Sequence, residues 1–168
     1  MKRILFTALV FTVAISGYAQ FRQESEIPAY NAAPPAKGQT LPVILSDFSS
    51  PMFTRPFQIA SYKAAAKVPN VIHQLPCYCR CDMSAGHNSL HSCFESAHGA
   101  HCDMCMREAV FAYQQTKAGK TPEQIRAAII KGDMKSLDLA KVTPADITDI
   151  RPAAKRPAHA TAKKSAGQ

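Results

Sequence analysis

Apolar residues follow a helical rhythm in only part of this chain. Over residues 101–118, Cys102, Cys105, Met106, Ala109, Val110 and Tyr113 recur at the i, i+3, i+4, i+7 spacing that lines one face of an α-helix, and Gly119 stops the run. Both cysteines of that helix therefore face the core. A second helix is predicted directly afterwards. Thr121 caps it, Pro122 takes the first helical position, Gln124 completes a capping box, and Ile125, Ala128 and Ile129 form its inner face. Upstream, the alanine-rich residues 57–67 carry Ile59, Tyr62 and Ala66 at helical spacing and end at Val68-Pro69, while Pro76 breaks the chain just ahead of the first cysteines. A shorter helix is predicted over residues 84–96, with Ser84 as its cap and Leu90 and Phe94 as its apolar pair. The predicted fold class is all-α: a small Cys/His-rich helical domain over residues 57–132, built around a CxCxC loop.

The flanks read differently. Residues 20–56 contain Pro28, Pro34, Pro35, Pro42, Pro51 and Pro56 among small and polar residues, the composition of a disordered Pro-rich arm. Pro42 argues against a strand over residues 41–45. Beyond Asp133 the pattern weakens, although Leu137, Leu139, Ile147 and Ile150 offer a further turn to the body; residues 133–168 read as a weakly structured segment followed by a basic Ala/Pro/Lys tail. Residues 1–19 have the form of a signal peptide: Lys2 and Arg3, an apolar run over residues 4–15, and Gly17-Tyr18-Ala19 as a small-residue cleavage site. The run falls short of the roughly 20 residues of a membrane-spanning helix, and no cysteine stands near it to take a lipid. Cleavage after Ala19 would leave a protein without a transmembrane segment, in the periplasm or secreted.

The formal charge of +8 invites a nucleic-acid reading that its distribution undercuts. Lys2 and Arg3 lie in the signal-like segment, and Arg151, Lys155, Arg156, Lys163 and Lys164 lie in a tail without acidic residues, so the body is close to neutral. Tryptophan is absent and the tail has no aromatic-basic interleaving, which excludes specific base recognition as the expected role.

What chemistry the chain has is concentrated. All six cysteines, Cys77, Cys79, Cys81, Cys93, Cys102 and Cys105, fall within 29 residues, and five of the six histidines lie between His73 and His101. Three readings are open. A disulfide framework is favoured by export, an even count and a small core. In an extended segment, however, Cys77, Cys79 and Cys81 would have alpha carbons about 6.6 Å apart, near the outer limit for a bridge. They would pair instead with Cys93, Cys102 and Cys105.

A soft-metal site is the second reading, with Cys77, Cys79, Cys81, Cys102 and Cys105 as ligands and Cys93 and His87 as further candidates. Thiolates suit copper(I) or zinc, and Met83, Met104 and Met106 tilt the choice towards copper. His87 and His91, four apart, would stack on one helix face. Thiol-disulfide chemistry is the third reading: Cys102 at a helix start would attack and Cys105 would resolve, the helix N-terminus favouring the thiolate. No strand-helix alternation supports a thioredoxin-like scaffold around that CxxC. His73 and His98 read as loop histidines, Tyr78 as a packing residue, Asp82 and Asp103 as helix-start or turn residues, and Arg80 as a charge that can lower neighbouring thiol pKa values or point to water.

The string Pro76-Cys77-Tyr78-Cys79-Arg80-Cys81-Asp82, with Gly86-His87-Asn88-Ser89-Leu90, Cys93-Phe94, Cys102-Asp103-Met104-Cys105 and Glu108-Ala109, resembles the PCYCGC-motif (CYCXC) family of exported or lipid-anchored bacterial proteins, some of which carry selenocysteine. The similarity covers residues 62–130. Arg80 stands where the motif has glycine, and the lipid-anchor cysteine is missing. The resemblance implies that the cysteines act as a unit. Selenocysteine in relatives favours redox reactivity or soft-metal binding over an inert staple, because selenium adds little to a structural bridge. The leading expectation is a soft-metal protein using copper or zinc, with a redox or metal-transfer protein as a possible class of partner.

Overall fold

Pro56, placed where its missing N–H costs nothing, opens the first helix, α1 (Pro56–Lys67), of the computed structural model, which describes residues 27–150. The signal-like segment with its cleavage point after Ala19, and the basic tail from Arg151 onward, lie outside the described residues. The alanines that predicted α1 also set its packing. Ala60, Ala64 and Ala65 are fully buried, and with so little side chain between them α1 lies close against α4 (Asp103–Lys117), where Ala109 and Ala112 answer from the other side.

Between these two helices the chain makes short turns of helix. Val68-Pro69 ends α1 and starts α2 (Pro69–His73), whose Ile72 is buried. A five-residue helix, α3 (Cys81–Ala85), follows, then two 3-10 turns, Leu90–Phe94 and Ala97–His101. The helix predicted over residues 84–96 is thus divided. Gly86 adopts a left-handed φ of 67° that ends α3, and Ser84 lies inside α3 rather than capping a helix. Leu90 and Phe94 are nonetheless both fully buried, and the Leu90 N–H donates to the Leu75 carbonyl at 2.8 Å.

Downstream, α4 is followed by α5 (Pro122–Lys131). Its N-terminus has the predicted reciprocal cap: the Gln124 N–H donates to Thr121 Oγ1 (3.4 Å) and the Thr121 N–H to Gln124 Oε1 (3.1 Å). Ile125 and Ile129 are buried. Three 3-10 turns, Asp133–Ser136, Leu139–Lys141 and Pro144–Asp146, return the chain along the α1–α4 pair. Met134, Leu139 and Val142 are buried, and Tyr113 Oη donates to the Thr148 carbonyl and accepts from the Thr148 N–H, both at 2.9 Å. No strand occurs among the described residues.

The described part of the Pro-rich arm has no regular element, in keeping with its prolines, yet it lies on the body. Ile44 is buried, the Leu45 N–H donates to the Phe94 carbonyl (2.9 Å), and Phe48 and Phe53 join Tyr62 and Phe94 in a chain of edge-to-face rings with centroids 4.9 to 6.0 Å apart. Its first residues cross the cysteine loop: the Ala29 N–H donates to Asp82 Oδ2 (3.2 Å) and Asn31 Nδ2 to the His73 carbonyl (3.1 Å). No described helix is long and apolar enough to cross a membrane.

Candidate metal centre

The loop from Pro76 to Cys81 turns back on itself. The Arg80 N–H donates to the Cys77 carbonyl (3.1 Å), and Arg80 takes a left-handed φ of 64°, the sole non-glycine residue with positive φ among those described. An extended segment would spread the three thiols along one side. This turn gathers them instead: Cys77 Sγ lies 3.2 Å from Cys79 Sγ, and Cys79 Sγ lies 2.6 Å from Cys81 Sγ. The extended geometry assumed from the sequence is corrected by that one left-handed residue, and no disulfide joins the three.

Helix α4 brings the opposite wall. Cys105, fully buried, sits 3.1 Å from Cys77 Sγ and 3.4 Å from Cys79 Sγ. Cys102 is the N-cap of α4, its sulfur accepting the Cys105 N–H at 3.4 Å, and remains half-buried. Cys93 comes from the Leu90–Phe94 turn and is fully buried. All six cysteines are free thiols. Their sulfurs fall into two overlapping sets, each with its atoms within 4.8 Å of one another: the buried Cys77, Cys81, Cys93 and Cys105, and the partly open Cys79, Cys102 and Cys105. A tetrahedral ion bonded at about 2.3 Å holds its sulfurs about 3.8 Å apart, so the buried quartet can hold a metal ion with small adjustments.

Histidine placement departs from the sequence pattern. Because Gly86 ends α3, His87 and His91 are not stacked on one helix. The Gly86 and His87 N–H groups both donate to the Cys81 carbonyl, which folds His87 back beside the cluster, with Nδ1 3.2 Å from Cys93 Sγ. His91 turns into the body, where its Nδ1 meets Glu95 Oε1 at 3.0 Å. His98, read from sequence as a loop histidine, stands with Nε2 3.2 Å from Cys81 Sγ. His73 lies away from the sulfurs, beside Asn31. Met83 and Met104 are exposed and Met106 is buried in the core.

Glu108 is the residue that sequence reasoning passed over. It is fully buried on α4, one turn from Cys105, and its Oε1 accepts the Tyr78 N–H at 2.9 Å, so a carboxylate pins the middle of the CxCxC loop. Oε2 has no hydrogen-bond partner. Burial, and then the neighbouring Cys77, push its pKa well above the carboxylate range. The signal was present in the sequence: an acidic residue three positions after Cys105, on the face otherwise occupied by Cys105, Ala109 and Ala112.

The thiols shift one another's ionisation. Contacts with Cys105 and then Cys93 pull the Cys77 thiol far below its ordinary pKa, whereas contacts with Cys102, Cys77 and Cys93, together with burial, push Cys105 far above its own. At the half-buried edge, contact with Cys105 lowers Cys102 to about 6. The first thiolate is stabilised by neighbouring S–H groups, and every further one meets its charge in a poorly solvated space. A bound cation is the simplest way for all of them to ionise together.

No curated protein and no solved structure matches the chain. A family model does match over residues 34–145, a span that takes in the CxCxC loop, α1 to α5 and the arm from residue 34 onward, and by that match the chain belongs to the family of proteins of unknown function with PCYCGC motif.

Proposed function

We propose that this protein is an exported soft-metal-binding protein whose thiolate cluster holds copper(I) or zinc. The observation that carries this reading is the buried quartet Cys77, Cys81, Cys93 and Cys105, four soft donors from three separate segments within 4.8 Å of one another. Ionising four sulfurs together in the core without a cation is costly, since each thiolate is desolvated beside the next. With an ion among them, the same arrangement becomes folding energy. Crowded sulfur ligands, together with the proposed export, favour copper(I) over zinc. Export is inferred from the residues 1–19 pattern, and delivery to or from a partner protein fits a cluster whose Cys79 and Cys102 edge remains partly open.

The test is a paired thiol count and elemental analysis on protein matured in the exported compartment and purified without reductant. Copper or zinc near one equivalent or above, with thiols becoming reactive only after chelation, is the expected result. Six oxidised cysteines and no metal would refute it.

A second reading has one observation in its favour. Cys102 is half-buried at the N-cap of α4, within reach of Cys105 and with its pKa lowered to about 6, the disposition of an attacking thiol with a resolving partner. Under that reading one bridge forms at Cys102–Cys105 and reduces more readily than any other.

A further inference from the structure

The cluster has more donors than one ion can use. Six sulfurs, together with the imidazoles of His87 and His98, make eight, and a tetrahedral soft ion takes about four. The surplus is not spread evenly. Cys81, His87 and His98 form a third set with ligand atoms within 4.8 Å of one another, sharing Cys81 with the buried quartet. Cys81 is buried, whereas His87 and His98 both reach solvent. Resting on the metal-binding reading above, we propose that the protein binds a second transition-metal ion through Cys81, His87 and His98, with the Cys81 sulfur shared between this outer ion and the inner one.

The backbone around these three residues has the character of a prepared site. His87 is delivered by the left-handed Gly86, which lets both its own N–H and that of His87 close on the Cys81 carbonyl; ligand and bridging residue are therefore tied by main-chain bonds before any ion arrives. His98 is fixed from two directions. Ser96 Oγ accepts the His98 N–H (3.3 Å), and the adjoining Gly99 is packed so tightly that a Cβ there would lie 2.7 Å from the Cys93 carbonyl oxygen. The two imidazoles meet edge to face, their centroids 4.8 Å apart with 67° between planes, and His98 Nε2 is 3.2 Å from the Cys81 sulfur. Sulfur and nitrogen donors around a zinc-like ion lie about 3.4–3.8 Å apart, so small ring rotations suffice.

Chemistry separates the two positions. The inner ion would have sulfur alone and no access to water, suiting retention. The outer ion would have two nitrogens, one shared sulfur and a free coordination position towards solvent, suiting exchange. A thiolate sulfur keeps lone pairs after its first metal bond, so Cys81 can serve both. The sequence alone concealed this set because His98 is separated from Cys81 by 17 positions and two helical turns.

The experiment is a metal count on the reduced full chain loaded with zinc(II) and, in parallel, with copper(I), each followed by gel filtration. The variant is His87→Asn with His98→Gln, and the inner quartet is left intact. Expected are about two equivalents in the wild type and about one in the variant, with helical circular dichroism preserved; a mild chelator should strip the outer ion from the wild type at least tenfold faster than the inner one. One equivalent in the wild type with both metals, or two retained in the variant, overturns the second site while leaving the thiolate reading in place. No equivalent with either metal overturns both. Should the double variant lose its helical signal, His98→Gln alone is the deciding form, because the backbone bonds of residue 98 do not involve its ring; it is expected to lose the outer ion and to keep the inner one.

Discussion

The two sides of this molecule are held together by different means. On one side α1 and α4 meet through alanines, and Tyr62 packs edge to face on Phe48 and Phe53 of the arm; apolar area removed from water suffices to explain their order. On the other, residues 76–102 fold into a five-residue helix and two 3-10 turns, each too short to persist alone, around buried sulfur and a carboxylate. Three side chains from the helical side reach across. Gln58 Nε2 donates to the Ala100 carbonyl (2.9 Å), Tyr62 Oη donates to the Ser96 carbonyl (2.6 Å), and Glu108 accepts from Tyr78. The scaffold therefore positions the cysteine segment, and an ion held by the cluster would add cohesion to it. That division is open to direct attack at the points where the two sides meet.

The largest effect is expected at Gly99. Its added Cβ would sit 2.7 Å from the Cys93 carbonyl oxygen, 3.2 Å from Tyr62 Oη and 3.3 Å from the Phe94 ring, and the nearest of these is backbone that cannot rotate aside. Gly99→Ala should cost about 3 kcal/mol of stability. It should also weaken metal retention, because relief requires moving the Cys93 turn against the scaffold. Denaturant unfolding and a metal count on the same samples check this. Unchanged stability would mean that the two sides are not packed as tightly as the cluster requires.

What the sequence disclosed follows the same division. Helices α4 and α5 were legible because their signals are local and periodic: Cys105, Met106, Ala109, Val110 and Tyr113 at one spacing, and Thr121-Pro122-Glu123-Gln124 at another. The crowding of cysteines was legible as a count. Its geometry was not. The meeting of Cys79 with Cys81 depends on a left-handed conformation at an arginine, a residue type that ordinarily avoids it. The return of His87 depends on Gly86, and His98 arrives through the burial of Gly99. The arm reads as solvated chain because Ile44 and Leu45 have no periodic companions; it docks through a backbone hydrogen bond to Phe94 and two aromatic rings, which no pattern of polarity records.

A smaller effect is expected at Glu108, and it separates two roles for that carboxylate. Glu108→Ala removes the acceptor of the Tyr78 N–H and should cost about 2 kcal/mol, the penalty of a donor left unsatisfied away from water. Glu108→Gln retains a carbonyl oxygen in the same place and should cost much less. If the Gln form binds metal as the native chain does, Glu108 acts by positioning the loop; if it folds normally but loses the ion, the charge itself belongs to the site.

The smallest effect, and the one of opposite sign, is expected at Arg80. A left-handed conformation at a non-glycine residue costs about 1–2 kcal/mol, and the family motif has glycine at this position, where that conformation carries no side-chain penalty. Arg80→Gly relieves the strain. It also gives up the ion pair with the largely buried Asp82 (3.4 Å) and the exposed contact of its guanidinium with Met83 Sδ (3.0 Å), together about 1 kcal/mol, and it adds freedom to the unfolded chain. The balance favours the glycine form by at most about 0.5 kcal/mol, read as a slightly raised denaturation midpoint with metal stoichiometry unchanged. Were Arg80→Gly instead to destabilise the metal-loaded protein while leaving the apo form untouched, the arginine would be acting on the cluster through its charge, and the cysteine segment would owe part of its order to a cation that the chain itself supplies.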